Sequence, residues 1–314
     1  MIVLVLLVRD EEDIVGSTIA FHLATGVDHV IATDHRSVDG TTDILRRFER
    51  DGCLTYVRDD RPTISQRAVV TAMARRAATK LGADWVIAAD ADELWWCREG
   101  WLPDVLDTLP RRYGAFRAPW RHFVLRPDDE REFHERMTLR CRPANDQGSV
   151  YHRHYKTLFR ACPSVEIDDG NHNALRVPGS LLRGWHPVEV LHFPLRSSAQ
   201  VRVKFGERMD GLEVWGQHKV AARSHPGGLD GFLDSACPTG RVLERGLQTR
   251  RLVEDVRVRD AIEAIRASRP PEARMPTLAE DVDFARDAAS TLELDIAFGV
   301  RARAEALQQV LARR

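Results

Sequence analysis

The sequence predicts an α/β fold: a single mixed β-sheet flanked by helices, followed by a mostly helical C-terminal region. Over the first 95 residues, short apolar segments alternate with amphipathic ones, which is the pattern of parallel strands joined by right-handed helical crossovers. After about residue 110 the strand-like segments are separated by long charged loops instead. We therefore expect an α+β half to be added to the α/β half within one sheet.

The first half contains four predicted strands, at residues 2–8, 29–33, 54–57 and 85–89. Eight apolar residues ending in Arg9-Asp10-Glu11-Glu12-Asp13 are typical of a buried parallel strand with polar groups at its carboxyl end. Helices are predicted between the strands, with one apolar face at Ile14, Val15, Ile19 and Leu23 and another at Ile44, Leu45 and Phe48. A long helix over 64–81 is expected to end at Gly82.

The second half is predicted to add strands at 116–124, 154–161 and 188–193. From about residue 240 apolar residues recur at helical spacing, in two stretches separated by Arg269-Pro270-Pro271; they are Leu243, Leu247, Leu252, Val253 and Val256, then Leu292, Ile296, Val300, Leu307 and Val310. We divide the chain into a main domain over 1–215 and a C-terminal, mostly helical region over 216–314, through which the protein could form a homo-oligomer.

Composition excludes several classes of protein. The chain has 314 residues with 46 Lys+Arg and 47 Asp+Glu, a net charge of −1 that argues against nucleic-acid binding. No apolar run approaches the roughly 18 residues of a membrane-spanning helix, so no stable span is expected. The five cysteines form no CxxC pair and the N-terminus lacks the features of a secretory signal, which together favour the cytoplasm.

Acidic residues follow the ends of the predicted strands. Asp10, Asp34 and the pair Asp90/Asp92 all fall at carboxyl ends, where ligands bind in parallel sheets. Asp90-Ala91-Asp92 places two carboxylates at one turn, an arrangement that repels itself unless a cation or proton lies between them. A divalent metal that bridges diphosphate oxygens is the usual reason for it, and a pair of loop acids is the structural alternative. Asp34 is well placed to hydrogen-bond a base or ribose hydroxyl.

These motifs, in this order, resemble a known family. Leu7-Val8-Arg9-Asp10-Glu11-Glu12, then Thr33-Asp34-His35-Arg36-Ser37-Val38-Asp39-Gly40-Thr41, then Asp90-Ala91-Asp92-Glu93 look like a family 2-type glycosyltransferase of the GT-A fold. The resemblance is greatest to the subgroup whose Asp-x-Asp-Glu is followed by an aromatic residue, here Trp95. It covers roughly residues 1–205 and implies a GT-A-like sheet, a UDP- or GDP-linked sugar donor, a hydroxyl acceptor, Mn²⁺ or Mg²⁺, and inversion at the anomeric carbon.

The resemblance also implies roles for individual residues. A histidine at the end of a late strand, His192, is expected to join Asp90 and Asp92 as a metal ligand, although a lone strand-end histidine is more often a core residue. The donor-binding set is listed here in full: Arg9, Asp10, Glu11, Asp34, Ser37, Asp90, Lys156, Arg196 and Lys204. Within it, Arg196 and Lys204 would offset the charge of the departing diphosphate.

The general base is the least defined assignment. An inverting transfer needs a group that takes the acceptor hydroxyl proton, and the candidates are Asp169 and His172, with Asp168 as a neighbour that could equally be a surface-loop residue. Asp210 or Glu213 would be the next choice if this loop does not supply the base.

Two other functions compete with a metal-dependent inverting glycosyltransferase. One is a non-catalytic protein that binds a sugar nucleotide. The other is a haloacid-dehalogenase-like phosphatase with Asp90 as nucleophile, but that family wants Asp-x-Asp-x-Thr on its first strand, and here position 94 is Leu and the motif follows the fourth strand. Signatures of dinucleotide, P-loop, zincin and α/β-hydrolase sites are missing from the sequence.

Overall fold

The computed structural model describes residues 1–98, 100–142, 155–183, 186–205 and 225–271. Its first part alternates strands and helices in the predicted order: β1 (Ile2–Val8), α1 (Val15–Ala24), β2 (His29–His35), α2 (Thr41–Arg50), β3 (Leu54–Asp59), α3 (Gln66–Arg76) and β4 (Trp85–Ala89). The four strands are parallel in the order β3-β2-β1-β4. The α/β alternation predicted for the first half is therefore confirmed.

The second half extends the same sheet. It contains β5 (Glu93–Cys97), α4 (Leu102–Thr108), β6 (Tyr113–His122), α5 (Phe133–Arg136), β7 (Leu139–Cys141), β8 (Tyr155–Arg160), β9 (Glu166–Ile167), β10 (Ala174–Leu175), β11 (Ser180–Leu182), β12 (Val188–His192) and α6 (Ser198–Phe205). Strand β8 runs antiparallel between β4 and β6, β12 is parallel to β6, and β5 closes the edge antiparallel to β12.

A single mixed sheet flanked by helices is the fold that the sequence predicts, and the structure confirms it. Among the described residues nine strands join this sheet, because β11 pairs beside β12 on the long strand β6. Strand β5 has no counterpart among the predicted strands. The helix predicted over 64–81 is α3 followed by one π-helical turn, Ala77–Leu81, and it ends at Gly82 in the left-handed conformation (φ 68°).

Two apolar cores sandwich the sheet. Alternate residues of β1 point to opposite faces, so that Leu4 and Leu6 join α1 and α4 on one side while Val3 and Val5 face α3 on the other. Because both faces of the parallel strands are covered, their sequences are continuous apolar runs. Because helices cover both faces of the sheet, the carboxyl ends of β1, β2 and β4 remain open for a ligand.

The C-terminal region consists, where it is described, of α7 (Gly228–Ala236), α8 (Gly240–Gln248), β13 (Leu252–Glu254) and α9 (Arg257–Arg266). The helical spacing through Leu252 and Val253 is a wrong prediction, since these residues pair as a strand with β7. Helix α9 packs Val258 and Ile262 into the core that contains α1. The second predicted helical stretch, residues 292–310, and with it the expected oligomer contact, lies outside the described residues.

A buried ionic network ties α9 to the sheet. Glu189 of β12 accepts hydrogen bonds from Arg121 (2.7 Å) and from Arg257. Asp255 accepts from Arg140 (2.7 Å) and Arg257 (2.6 Å). Burial alone would raise the pKa of Glu189, but Arg257, Arg121 and Arg140 outweigh it and lower that pKa to about 2.

None of the described helices is long and apolar enough to cross a membrane.

Candidate functional site

A cleft opens at the carboxyl ends of β1, β2 and β4, where parallel sheets bind ligands. Its lining residues come from the end of β1, the end of β2, the start of α3, the turn after β4, and α6; they are Leu7, Val8, Arg9, Asp10, Glu11, His35, Gln66, Asp90, Ala91, Asp92, Gln200, Val203 and Lys204. Six of the predicted site residues are in that set. The predicted residues that are not among the lining residues are Asp34, Ser37, Lys156, Asp169, His172, His192 and Arg196.

The two aspartates of the Asp-x-Asp turn have different partners. Asp90 is held by three side chains: Lys156 donates to Oδ2 (2.8 Å), and Asn171 (3.1 Å) and Gln66 (3.3 Å) donate to Oδ1. The partners come from β8, from the loop after β9 and from α3, so the fold packs three elements around this carboxylate. Asp90 therefore organises the turn, and neither Gln66 nor Asn171 was among the predicted site residues.

Lys156 belongs to this arrangement rather than to the cleft wall. Its side chain is wholly buried and its Nζ lies 2.9 Å from Oε1 of Glu93, in addition to its bond with Asp90. Burial alone would lower the pKa of Lys156, but Asp90 and Glu93 outweigh it and raise that pKa above its usual range. Burial raises the pKa of Glu93 to about 8, although Lys156 pulls it down. Lys156 is thus the buried cation that links Asp90 to Glu93.

Asp92 faces nitrogen-bearing side chains on both of its oxygens. On one side Lys204 donates to Oδ2 (3.0 Å) and Arg196 lies 3.8 Å from the same atom. On the other side Nε2 of His192 lies 3.5 Å from Oδ1. Burial alone would raise the pKa of Asp92, but Lys204, His192 and Arg196 hold it well below its usual range. Asp92 is therefore an ionised carboxylate at the floor of the cleft.

Arg196 and Lys204 are linked to the end of β1 through acids. Arg196 is fully buried and is paired with Glu11 and with Asp13 (2.7 Å), while Lys204 lies 3.5 Å from Oε1 of Glu11. Burial raises the pKa of Glu11 against the lowering effect of the two cations. Arg196 also donates to the carbonyl of Phe193 (3.1 Å), so that its guanidinium is fixed in one position. Asp13 was not among the predicted site residues. Its only signal in the sequence is that it belongs to the charged run that follows β1.

The donor set suits a divalent cation in part. Oδ1 of Asp92 and Nε2 of His192 are close enough to share one ion, and a carboxylate with one or two further ligands is how Mg²⁺ is held beside substrate phosphates. Both oxygens of Asp90, the third predicted ligand, accept hydrogen bonds from Lys156, Asn171 and Gln66. Among the described residues there is no ready group of three His, Cys, Asp or Glu side chains for a metal. The structure thus brings two of the three predicted ligands, Asp92 and His192, within reach of one ion.

The end of the cleft expected to bind a nucleoside is built around Asp34. This carboxylate is fully buried and accepts from the Ser37 backbone (3.0 Å), Thr42 (2.6 Å), Tyr56 (3.1 Å) and Arg58 (2.9 Å). The Ser37 hydroxyl in turn accepts from the backbone N–H of Asp10 (3.1 Å). With four donors already on it, Asp34 shapes the loop that follows β2, whereas Arg9 and Asp10 line the cleft itself.

The loop expected to bind the acceptor lies against the Asp-x-Asp turn. Lys156 donates to the carbonyl of Gly170 (2.7 Å), and the Gly170 N–H donates to Gln66 (3.3 Å). Gly170 is left-handed (φ 77°), and a Cβ there would lie 2.9 Å from Nε2 of His172, so both the turn and the close approach require glycine.

The three candidate bases differ in their surroundings. The Asp169 side chain is exposed, whereas Asp168 is engaged by the N–H (2.8 Å) and side-chain amide (2.7 Å) of Asn173. His172 is buried, and its Nδ1 donates to the Tyr155 carbonyl (2.9 Å), which leaves Nε2 as the basic nitrogen of the neutral ring. Asp210 and Glu213 lie outside the described residues.

Comparison with known proteins gave matches among solved structures. No family model and no curated protein matches the sequence. A crystal structure of S. aureus TarS 1–349 in complex with UDP-GlcNAc is 10% identical, with 94% of this chain and 92% of that chain covered and a TM-score of 0.36.

Two further similar structures are matched over shorter lengths. Another crystal structure of S. aureus TarS 1–349 is 10% identical over 65% of this chain, with a TM-score of 0.38. Glucosyl-3-phosphoglycerate synthase from Mycobacterium tuberculosis, in complex with Mn²⁺, UDP and phosphoglyceric acid, is 21% identical over 38% of this chain, with a TM-score of 0.28. This chain spans 63% and 43% of the lengths of those two proteins.

Proposed function

We propose that this protein is a GT-A-type glycosyltransferase, which moves a sugar from a nucleoside-diphosphate sugar to an acceptor hydroxyl with inversion and with the help of Mn²⁺ or Mg²⁺. One observation carries the proposal. Asp92, at the floor of the cleft, has a potential metal ligand, His192, on one oxygen and two cations, Lys204 and Arg196, on the other. A metal site next to fixed positive charge suits a diphosphate, whose charge grows as the sugar leaves.

The chain's own residues would divide the work as follows. A divalent cation held by Asp92 and His192 would neutralise charge on the diphosphate. Lys204 lines the cleft and would donate to a phosphate oxygen, and Arg196, held by Glu11 and Asp13, would help to keep Asp92 ionised. Arg9 and Asp10, also on the cleft wall, would contact the nucleoside or sugar. Because these groups are held before the ligand arrives, little reorganisation is needed when charge develops.

For the proton of the acceptor hydroxyl we propose His172 or Asp169. His172 presents Nε2 beside Gly170, on a loop that Lys156 and Gln66 tie to the Asp-x-Asp turn. Asp169 is the adjacent exposed carboxylate. Replacing the base should lower kcat about 10²–10⁴-fold while leaving donor binding intact.

The phosphatase alternative is disfavoured by the contacts of Asp90. Both of its oxygens accept hydrogen bonds from Lys156, Asn171 and Gln66, and a nucleophilic carboxylate needs one oxygen aimed at the phosphorus atom. The non-catalytic alternative differs from the transferase only in turnover, so an activity measurement separates the two.

The test is a panel of UDP- and GDP-linked sugars with and without Mn²⁺, with thermal shift and release of nucleoside diphosphate as readouts. We expect one donor to raise Tm and to be hydrolysed slowly in the presence of Mn²⁺. Asp92→Asn should lose more than about tenfold in turnover, roughly 1.4 kcal/mol of transition-state stabilisation, whereas Asp107→Asn, at an exposed position on α4, should match the wild type. If no nucleotide sugar binds or reacts, the proposal is wrong.

A further inference from the structure

The ends of β6 and β12 bring two histidines together. The strands are parallel neighbours, and His122 is paired in register with His192. Both side chains are buried, and their Nδ1 atoms are 3.0 Å apart, which is hydrogen-bond distance. His122 has no place in the sequence prediction, because only the strand pairing, across 70 positions of sequence, sets it beside His192.

A hydrogen bond between two Nδ1 atoms couples the proton positions of the two rings. A neutral imidazole carries one proton, so the ring that donates from Nδ1 has a lone pair on Nε2, and the ring that accepts has its proton on Nε2. Nε2 of His192 is the atom that faces Asp92, at 3.5 Å, which is longer than an ordinary N–H···O hydrogen bond. The shorter contact of His192 is therefore the one to His122.

We propose that His122 is a positioning residue for His192: it accepts a hydrogen bond from Nδ1 of His192 and so turns the Nε2 lone pair toward the cation site beside Asp92. The inference rests on the proposed function, in which His192 is a metal ligand. Histidines that bind metals almost always donate their other ring N–H to a partner, which fixes both the tautomer and the ring orientation. Here the partner is a second imidazole.

Trp120 completes the support of this ring. Its indole stacks on His192 with centroids 4.6 Å apart and an interplanar angle of 27°, and it meets His122 edge-on at 5.1 Å. The stacking fixes the plane of the His192 ring, and the bond to His122 fixes its rotation within that plane. Two constraints on a buried ring leave Nε2 a single direction.

Two variants separate the hydrogen bond from packing. His122→Leu keeps bulk but has no acceptor, whereas His122→Gln retains an acceptor oxygen. We expect His122→Leu to weaken Mn²⁺ binding about 10–100-fold, measured by the electron paramagnetic resonance of free Mn²⁺ in the presence of UDP. His122→Gln should restore most of that affinity. Equal Mn²⁺ affinity in the wild type and His122→Leu would overturn the proposal.

A second readout requires neither metal nor activity. In ¹⁵N-histidine spectra of the metal-free protein, with His192→Gln to assign the signals, His192 should carry its proton on Nδ1. A proton on Nε2 of His192 would overturn the proposal even if His122→Leu does not fold. If the wild-type protein binds neither UDP nor Mn²⁺, the proposed function fails, and the spectrum still decides which nitrogen of His192 donates to His122.

Discussion

Replacing Lys156 by Met tests the buried group behind the Asp-x-Asp turn. The ammonium makes three contacts, at 2.8 Å to Asp90, 2.9 Å to Glu93 and 2.7 Å to the Gly170 carbonyl, and its side chain is fully buried. Met keeps the length of the side chain, so no large cavity forms and the loss is electrostatic. Removing one partner of a buried ion pair typically costs about 3–5 kcal/mol, a large part of the 5–15 kcal/mol that stabilises an ordinary domain.

The cost should depend on pH, because Glu93 has its pKa near 8. That pKa is raised above the unfolded value, so Glu93 favours the folded state below about pH 4.5, and this contribution is lost as the pH rises through 8. In Lys156→Met the pKa of Glu93 rises further, because the cation that lowered it is gone. The folded variant then holds a proton that the folded wild type has released, so the destabilisation should be larger at pH 9 than at pH 6.

The assay is urea unfolding at pH 6 and pH 9, with Lys80→Met as the matched control. Lys80 is exposed, and its replacement should change the free energy of unfolding by less than about 0.5 kcal/mol. A loss below about 1 kcal/mol for Lys156→Met at both pH values would show that Lys156 is not paired in a buried site, because breaking one side of a buried ion pair costs more than that.

Three further outcomes are expected. Because its pKa is lowered to about 2, Glu189 stabilises the folded state above pH 4.5, and this stabilisation decreases as the pH falls toward 2. Glu189→Gln should therefore make Tm less dependent on pH in the acid range, and an unchanged slope of Tm against pH would contradict this. Gly170→Ala should cost more stability in thermal unfolding than Gly52→Ala, since both glycines have positive φ but only the Cβ at Gly170 meets another residue, His172; equal losses would argue against that contact. Asp34→Asn should lower the free energy of unfolding by about 1.5–3 kcal/mol in urea through its weakened charged hydrogen bonds, and a change within 0.5 kcal/mol would show that Asp34 is not needed to hold its loop.

The strands and helices of the first half were predictable because their signal is local. The apolar run of β1, the alternation of strands with amphipathic helices, and the stop at Gly82 can each be recognised within a window of about 15 residues. Two short strands were not predicted. Strand β5 follows the Asp-x-Asp turn without a break, and β13 forms from residues with helical spacing because it pairs with β7. In such segments, pairing with a neighbouring strand outweighs the intrinsic secondary-structure propensity of the residues.

For the site, the order of residues along the chain was enough to place acids at strand ends and so to locate the cleft, because strand direction and chain order define where the carboxyl ends of a parallel sheet lie. The contacts of each acid, in contrast, depend on how distant segments pack in three dimensions. Asp90 is bound by Lys156, 66 positions away, and Arg196 reaches Asp13 across 183 positions. The sequence does not distinguish an aspartate that faces a cleft from one that is paired with a buried cation. The partners that distinguish them are brought together by packing between distant segments.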